Sequence, residues 1–145
     1  VDEVMSGFGR CGEWFAIERS QVTPDIIVTA KGINSGYVPL GAVLVSKAIA
    51  DYFDDRPLPV GLTYSGHALA TAAAIANIKA MEDEHILQKT KAMETHLIQQ
   101  MNQLKTQHPS IGDFRCTGLL SCIELVKNRD TREPLVPWNA PPLIK

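Results

Sequence analysis

One lysine occupies a position where a primary amine could do chemistry. Lys31 follows residues 25–30, a run rich in β-branched side chains that predicts a short buried strand, and Gly32 comes directly after it. A lysine at the end of a buried strand loses part of its water and can serve as a nucleophile or base. The alternative is the commoner arrangement, in which the stem lies along the surface and the ammonium group reaches solvent. The residues alone leave both open.

An acidic pair opens the chain. Asp2 and Glu3 stand between Val1 and Val4, which suggests the end of a buried strand. One carboxylate there could bind a metal, pair with a cation or hold a protonated ring nitrogen. A solvent-exposed acidic pair would explain the same residues without any ligand.

Two hydroxyl side chains precede an alanine-rich segment. Thr63 and Ser65, followed by Gly66, stand just before residues 68–81, which we expect to be helical. Hydroxyl and backbone N–H groups at the start of a helix suit an anion such as a phosphate group. Capping of the helix by Thr63 or Ser65 is the simpler alternative, and both remain open.

Metal and disulfide chemistry are not predicted. Cys11, Cys116 and Cys122 are widely separated and form no CxxC pair, and the four histidines form no HxxH or HExxH motif. We therefore expect no metal site. We also expect reduced thiols, which are typical of a cytoplasmic protein.

Composition is that of a folded globular chain. The 145 residues are 45% hydrophobic and 21% charged, and 14 Lys and Arg face 16 Asp and Glu, for a net charge of −2. Disorder is excluded because the apolar content is too high for it. A charge near zero gives no basis for binding nucleic acid or an anionic membrane, and no apolar run approaches the roughly 20 residues of a membrane span.

Strands and helices alternate along the chain, which predicts an α/β layer architecture. Strands are expected over residues 25–30, 41–45 and 119–126, and helices over residues 46–53 and 68–81. A third helix is predicted by apolar residues at spacings of three and four, which are Ile86, Thr90, Met93, Leu97, Met101 and Leu104. The chain begins within one apolar pattern and ends where another starts. We therefore expect an internal piece of a longer polypeptide, with a trimmed domain as the alternative.

Four stretches in order resemble the class III aminotransferases, pyridoxal phosphate enzymes of fold type I. They are DEVMSGFGRCGEWFAIE, TPDIIVTAKGINSGYVPLGAVLVS, GLTYSGHALATAAAIANI and FRCTGLLSCIELV. The resemblance implies an α/β fold, with residues 1–75 forming the second half of a large cofactor domain like that of aspartate aminotransferase. Residues 76–145 would then be interdomain helices and the incomplete start of an α+β C-terminal domain.

The resemblance also implies a role for each matching residue. Lys31 would form a Schiff base with the aldehyde of pyridoxal 5′-phosphate and then move the reacting proton. Asp2 would pair with the pyridine nitrogen, and Val4 would pack on one ring face. Thr63 would reach the cofactor phosphate bound in the neighbouring subunit, so that a homodimer shares its sites.

The implied activity is transfer of an amino group from an ω-amino acid or amine to a keto acid such as pyruvate. Met5 stands where many members have Gln, which favours the ω-amino acid–pyruvate branch. Diaminopelargonate, acetylornithine or ornithine, and glutamate-semialdehyde activities remain alternatives, as does a non-catalytic relic that serves only packing or dimerisation. The family's phosphate turn, ring-stacking aromatic residue and substrate-binding arginine have no counterpart here. We therefore expect these residues alone to be inactive.

Overall fold

A computed structural model describes residues 1–137 of the chain. Its contacts divide into two compact units, Val1–Lys91 and a second that begins at Ala92. The domain boundary expected after residue 75 stays a prediction. The apolar stretch expected at the end of the chain lies outside the described residues.

In the first unit, β1 (Ile26–Thr29) lies between β2 (Ala42–Val45) and the first residues of the chain. β1 pairs antiparallel with β2. On the other edge of β1, the first residues of the chain run parallel to it. Val28 N donates to Val1 O at 2.9 Å, and Glu3 N donates to Val28 O at 2.7 Å. Because these segments are parallel, the residues that follow Glu3 and Thr29 emerge at the same end.

The expectation that β1 is a buried strand is wrong for most of its length. Ile26 and Val28 are 43% and 39% exposed, and only Thr29 is fully buried. β1 and β2 form a two-stranded sheet, and the described residues cover little of its two faces. The apolar composition of residues 25–30 therefore predicted the strand but overestimated its burial.

Three helices follow, close to their predicted positions: α1 (Lys47–Tyr52), α2 (Ala68–Asp83) and α3 (Ile86–Gln107). The N-cap of α2 is His67, whose Nδ1 accepts a hydrogen bond from Ala70 N at 3.3 Å. Neither Thr63 nor Ser65 caps this helix. None of the helices within residues 1–137 combines the length and apolarity that crossing a membrane requires.

The predicted apolar face of α3 is only partly buried. Thr90 and Met101 are buried, whereas Met93 and Leu104 are 47% and 39% exposed. The spacing therefore located the helix correctly, although not every residue of its apolar stripe is covered among the described residues.

The second unit contains a three-stranded antiparallel sheet of β3 (Ile111–Thr117), β4 (Leu120–Asn128) and β5 (Glu133–Pro134). Ile111 and Val126 are its buried apolar residues from these strands. β4 confirms the strand predicted over residues 119–126 and extends it by two residues. β3 was not predicted, because Gly112, Asp113 and Arg115 interrupt its apolar pattern.

Candidate functional site

Lys31 lies two positions beyond the end of β1, at the first position of the 3₁₀ turn Lys31–Ile33. Its φ angle is +44°, in the left-handed region that few side chains other than Gly, Asn and Asp adopt. The residue is exposed, which fits the alternative in which the ammonium group reaches solvent rather than the one in which the amine is partly desolvated. Its Nζ lies 2.6 Å from Met5 Sδ, so the amine reaches across to the segment that follows Asp2.

Gly32 allows the lysine turn to pack closely against the glycine-rich segment of residues 7–12. A Cβ at position 32 would stand 2.8 Å from Phe8 Cβ and 3.3 Å from Gly7 O. Real Cβ contacts are essentially never shorter than 3.0 Å, so any side chain here would displace the turn. The glycine segment thus supplies backbone and Cβ atoms against which the lysine turn packs.

Asp2 and Val4 lie on the segment parallel to β1. The Asp2 carboxylate is exposed, and its Oδ1 accepts a hydrogen bond from Val4 N at 2.9 Å. Val4 is half-buried. Since Met5 Sδ contacts Lys31 Nζ, the structure brings the segment of Asp2 and Val4 beside the lysine, and the shared role of the three residues stays a prediction.

Glu3 differs sharply from its acidic neighbour because its side chain is only 1% exposed. Its carboxylate accepts three hydrogen bonds, from Ser6 Oγ at 2.5 Å, Ala16 N at 3.1 Å and Ile17 N at 2.8 Å. Glu3 thus ties the Asp2–Val4 segment to the 3₁₀ turn Ala16–Ser20. This role of Glu3 was not predicted from the sequence, although adjacent residues of an extended segment face opposite sides.

Asn77 of α2 is a second residue that the sequence analysis missed. Its Nδ2 donates to Gly32 O at 2.9 Å and to Ile33 O at 3.2 Å, and its Oδ1 accepts from Ser35 Oγ at 2.6 Å. It is a polar residue within an alanine-rich, apolar segment, and that contrast was the available signal.

Thr63 is exposed in the turn that precedes α2. Within residues 1–137, no hydrogen bond joins it to Lys31 or Asp2. No hydrogen bond among the described residues therefore links Thr63 to the lysine of its own chain, and its predicted role in the neighbouring subunit stays a prediction.

An open cavity of about 580 Å³ borders the lysine turn, a volume within the usual range for small-molecule sites. Its polar lining residues are Arg10, Lys31, Ser35, Asn77 and Glu84. Asp2, Val4 and Thr63 do not line it. In the part of the chain that the structure describes, no group of three His, Cys, Asp or Glu side chains could hold a metal ion.

Lys31 and the segment beside it carry groups of three chemical types, an amine, a carboxylate and an apolar side chain. A primary amine can bond to an aldehyde, an exposed carboxylate can pair with a protonated ring nitrogen, and a half-buried valine offers an apolar face. Lys31, Asp2 and Val4 supply these three groups from one end of two parallel segments.

Comparison with known proteins gives consistent matches. The family model described as "Aminotransferase class-III" matches residues 1–140. A putrescine–pyruvate aminotransferase of Pseudomonas aeruginosa is 41% identical over 92% of this chain and 29% of its own length. An adenosylmethionine-8-amino-7-oxononanoate aminotransferase of Anoxybacillus flavithermus is 41% identical over 95% of this chain and 31% of its own length.

A solved structure is similar over nearly the whole chain. It is a taurine:2-oxoglutarate aminotransferase of Bifidobacterium kashiwanohense in complex with PLP and glutamate, with a TM-score of 0.94 and 45% identity. The match covers 97% of this chain and 32% of the solved one. The chain therefore spans less than a third of the length of each of these relatives.

Proposed function

Because the chain belongs to the class III aminotransferases, which are pyridoxal phosphate enzymes, we propose that it is the lysine-bearing part of a transaminase. The enzyme transfers an amino group from an ω-amino acid or an amine to a keto acid such as pyruvate. The observation that carries this proposal is the contact of Lys31 Nζ with Met5, beside the segment of Asp2 and Val4. This contact links the Lys31 amine to the segment of Asp2 and Val4, the residues that are proposed to contact the cofactor ring.

The residues present fit pyridoxal 5′-phosphate. Lys31 Nζ would bond to its aldehyde, the Asp2 carboxylate would pair with its ring nitrogen, and Val4 would cover one ring face. When bound, the cofactor supplies an electron sink for a carbanion formed on the substrate. The protein's own part is to hold the ring nitrogen in its protonated form through Asp2, and to move the substrate proton at Lys31 Nζ.

Thr63 belongs to a site shared between subunits in this proposal. Its hydroxyl is exposed, and no hydrogen bond within residues 1–137 turns it toward Lys31 of the same chain. Both features are compatible with a homodimer in which Thr63 meets the cofactor phosphate of the neighbouring subunit. A phosphate bound through hydroxyl and backbone N–H groups needs no cation from this segment.

The proposed donor is an amine or ω-amino acid, and the proposed acceptor is pyruvate. One similar enzyme is named for putrescine and pyruvate, which supports this pair. Met5 beside Lys31 Nζ presents a thioether rather than the amide found in many members. Another class III activity is the alternative, since a second relative is named for 8-amino-7-oxononanoate.

Reductive trapping tests the lysine directly. The natural full-length protein is loaded with pyridoxal phosphate, reduced with borohydride and digested, and the modified peptide is identified by mass spectrometry. We expect the adduct on Lys31, and its loss in Lys31→Arg, because a guanidinium group keeps the charge but does not form an imine. Lys79→Arg is the matched control, since Lys79 is an exposed lysine of α2 that pairs with Asp83.

One outcome would contradict the role proposed for Lys31, and another would contradict the expectation that these residues alone are inactive. Unchanged trapping in Lys31→Arg would remove Lys31 from its role and favour a non-catalytic relic. Alanine formation from pyruvate and an amine by residues 1–145 alone would contradict the further proposal that these residues do not suffice for turnover.

A further inference from the structure

We propose that Asn77 is a positioning residue that holds the turn of Lys31 in its reactive geometry, an inference that rests on the proposed function. The Asn77 amide makes three hydrogen bonds to residues just after the lysine. It donates to the carbonyl oxygens of Gly32 and Ile33 and accepts from Ser35 Oγ. α2 is thereby fastened to the lysine turn.

The pattern of donors and acceptors calls for an amide. Two carbonyl oxygens and, at 3.6 Å, Met81 Sδ face the Nδ2 group, which carries two hydrogens, and one hydroxyl faces Oδ1. An aspartate has nearly the same shape but would set an oxygen against two carbonyl oxygens. The negative charge and the loss of the N–H donors would break the hydrogen bonds to Gly32 O and Ile33 O. No cavity would form, because the side chain keeps its size.

The backbone of the lysine turn needs contacts from another segment to keep its conformation. Lys31 adopts a φ of +44°, and strained backbone persists only where the surrounding structure holds it. The turn itself spans three residues, and the bonds at its ends, Ile33 N to Ala30 O and Ser35 N to Gly32 O, measure 3.1 and 3.4 Å. Because the Lys31 side chain is exposed, its own packing cannot fix the backbone. Asn77 supplies that restraint.

A displaced lysine would lower the rate of the chemical step and would have a smaller effect on substrate binding. Small misplacements of a reacting group, on the order of 1 Å, can lower a rate about 100-fold. Asn77→Asp should therefore lower kcat between about 10- and 100-fold and change KM by less than about threefold. It should also shift the pH midpoint of the visible absorbance of the Lys31-bound cofactor, because the amine would meet altered surroundings.

The experiment compares three variants in the natural full-length protein. Asn77→Asp breaks the hydrogen bonds that Nδ2 donates to Gly32 O and Ile33 O. Ser35→Ala removes only the bond to Oδ1, so it should lower kcat as well, but by less. Asn102→Asp is the matched control, because Asn102 is an exposed asparagine of α3. If Asn77→Asp does not fold, Asn77→Ala with Ser35→Ala carries the test.

The results separate this inference from the proposed function. If the wild-type protein yields no borohydride adduct on Lys31, the proposed function fails and this inference fails with it. If wild type is trapped but Asn77→Asp changes only the thermal midpoint, with kcat and the absorbance titration unaltered, Asn77 is merely a packing residue. A fall in kcat with a shifted titration, absent in Asn102→Asp, is the expected result.

Discussion

Removal of the Glu3 carboxylate should loosen the segment that carries Asp2 and Val4. The buried carboxylate accepts bonds from Ser6 Oγ, Ala16 N and Ile17 N. A hydrogen bond to a charged group contributes about 1.5–3 kcal/mol, but these three share one acceptor group and are not additive. Burial of the charge also carries a desolvation penalty that its removal relieves. Glu3→Ala should therefore lower the free energy of local opening by about 2–4 kcal/mol.

Native-state hydrogen exchange measures this opening at the affected amides. In the Glu3→Ala form of the natural protein, the Ala16 and Ile17 amides should exchange about 30- to 1,000-fold faster, which is the same free energy expressed as a rate. Glu3→Gln should fall between wild type and alanine. Its amide oxygen can still accept from one backbone N–H, but its NH₂ group would face the other donor.

Glu18→Ala is the matched control for this experiment. Glu18 Oε1 accepts a single bond from Phe15 N at 2.8 Å at the start of the same 3₁₀ turn, and the residue is exposed. Loss of such an exposed cap is worth about 1 kcal/mol. If Glu3→Ala accelerated exchange no more than Glu18→Ala, the buried carboxylate would not be what fastens these segments.

Two further predictions concern packing and charge. Gly32→Ala should destabilise the protein by about 1–3 kcal/mol in urea unfolding, because its Cβ would stand 2.8 Å from a neighbouring Cβ. Gly61→Ala, with nothing within 4 Å of its Cβ, should change the stability by less than about 0.5 kcal/mol; equal effects would refute the steric argument. A hydrogen bond from Lys105, with one from the Phe114 backbone, holds the pKa of Asp113 below 3.8. Its stabilising contribution is thus present above the ordinary pKa of an aspartate and is lost as the pH falls through the folded pKa. Lys105→Met should raise this pKa in a carboxyl carbon NMR titration, and an unchanged midpoint would contradict the assignment.

Local patterns in the sequence were sufficient for most elements. Alanine content and apolar spacing located α2 and α3, because helix formation depends on near neighbours along the chain. Turn residues and β-branched runs located β1, β2 and β4. β3 was not predicted because Gly112 packs against Val126 of the next strand, and this contact stands in place of a local apolar pattern.

The supporting residues of the candidate site could not be predicted in the same way. Lys31 and Asp2 were singled out by residue type and position, and their roles, like that of Val4, came from a family resemblance. Glu3 and Asn77 instead acquire their roles from partners distant in sequence. Glu3 meets Ile17 fourteen positions away, and Asn77 meets Gly32 forty-five positions away. Nothing in the local pattern reports such contacts, and the burial of β1 was misjudged because composition does not specify what covers a strand.

The hydrogen bonds of Asn77 also have a consequence for folding during synthesis on the ribosome. A ribosome releases Gly32 long before α2, since the two partners are separated by 45 positions. Closing so long a loop is entropically unfavourable until other contacts of the helix contribute. The left-handed turn of Lys31 therefore cannot be held when it first leaves the ribosome. During synthesis, the proposed reactive geometry of the lysine turn should arise only after residue 83, where α2 is complete.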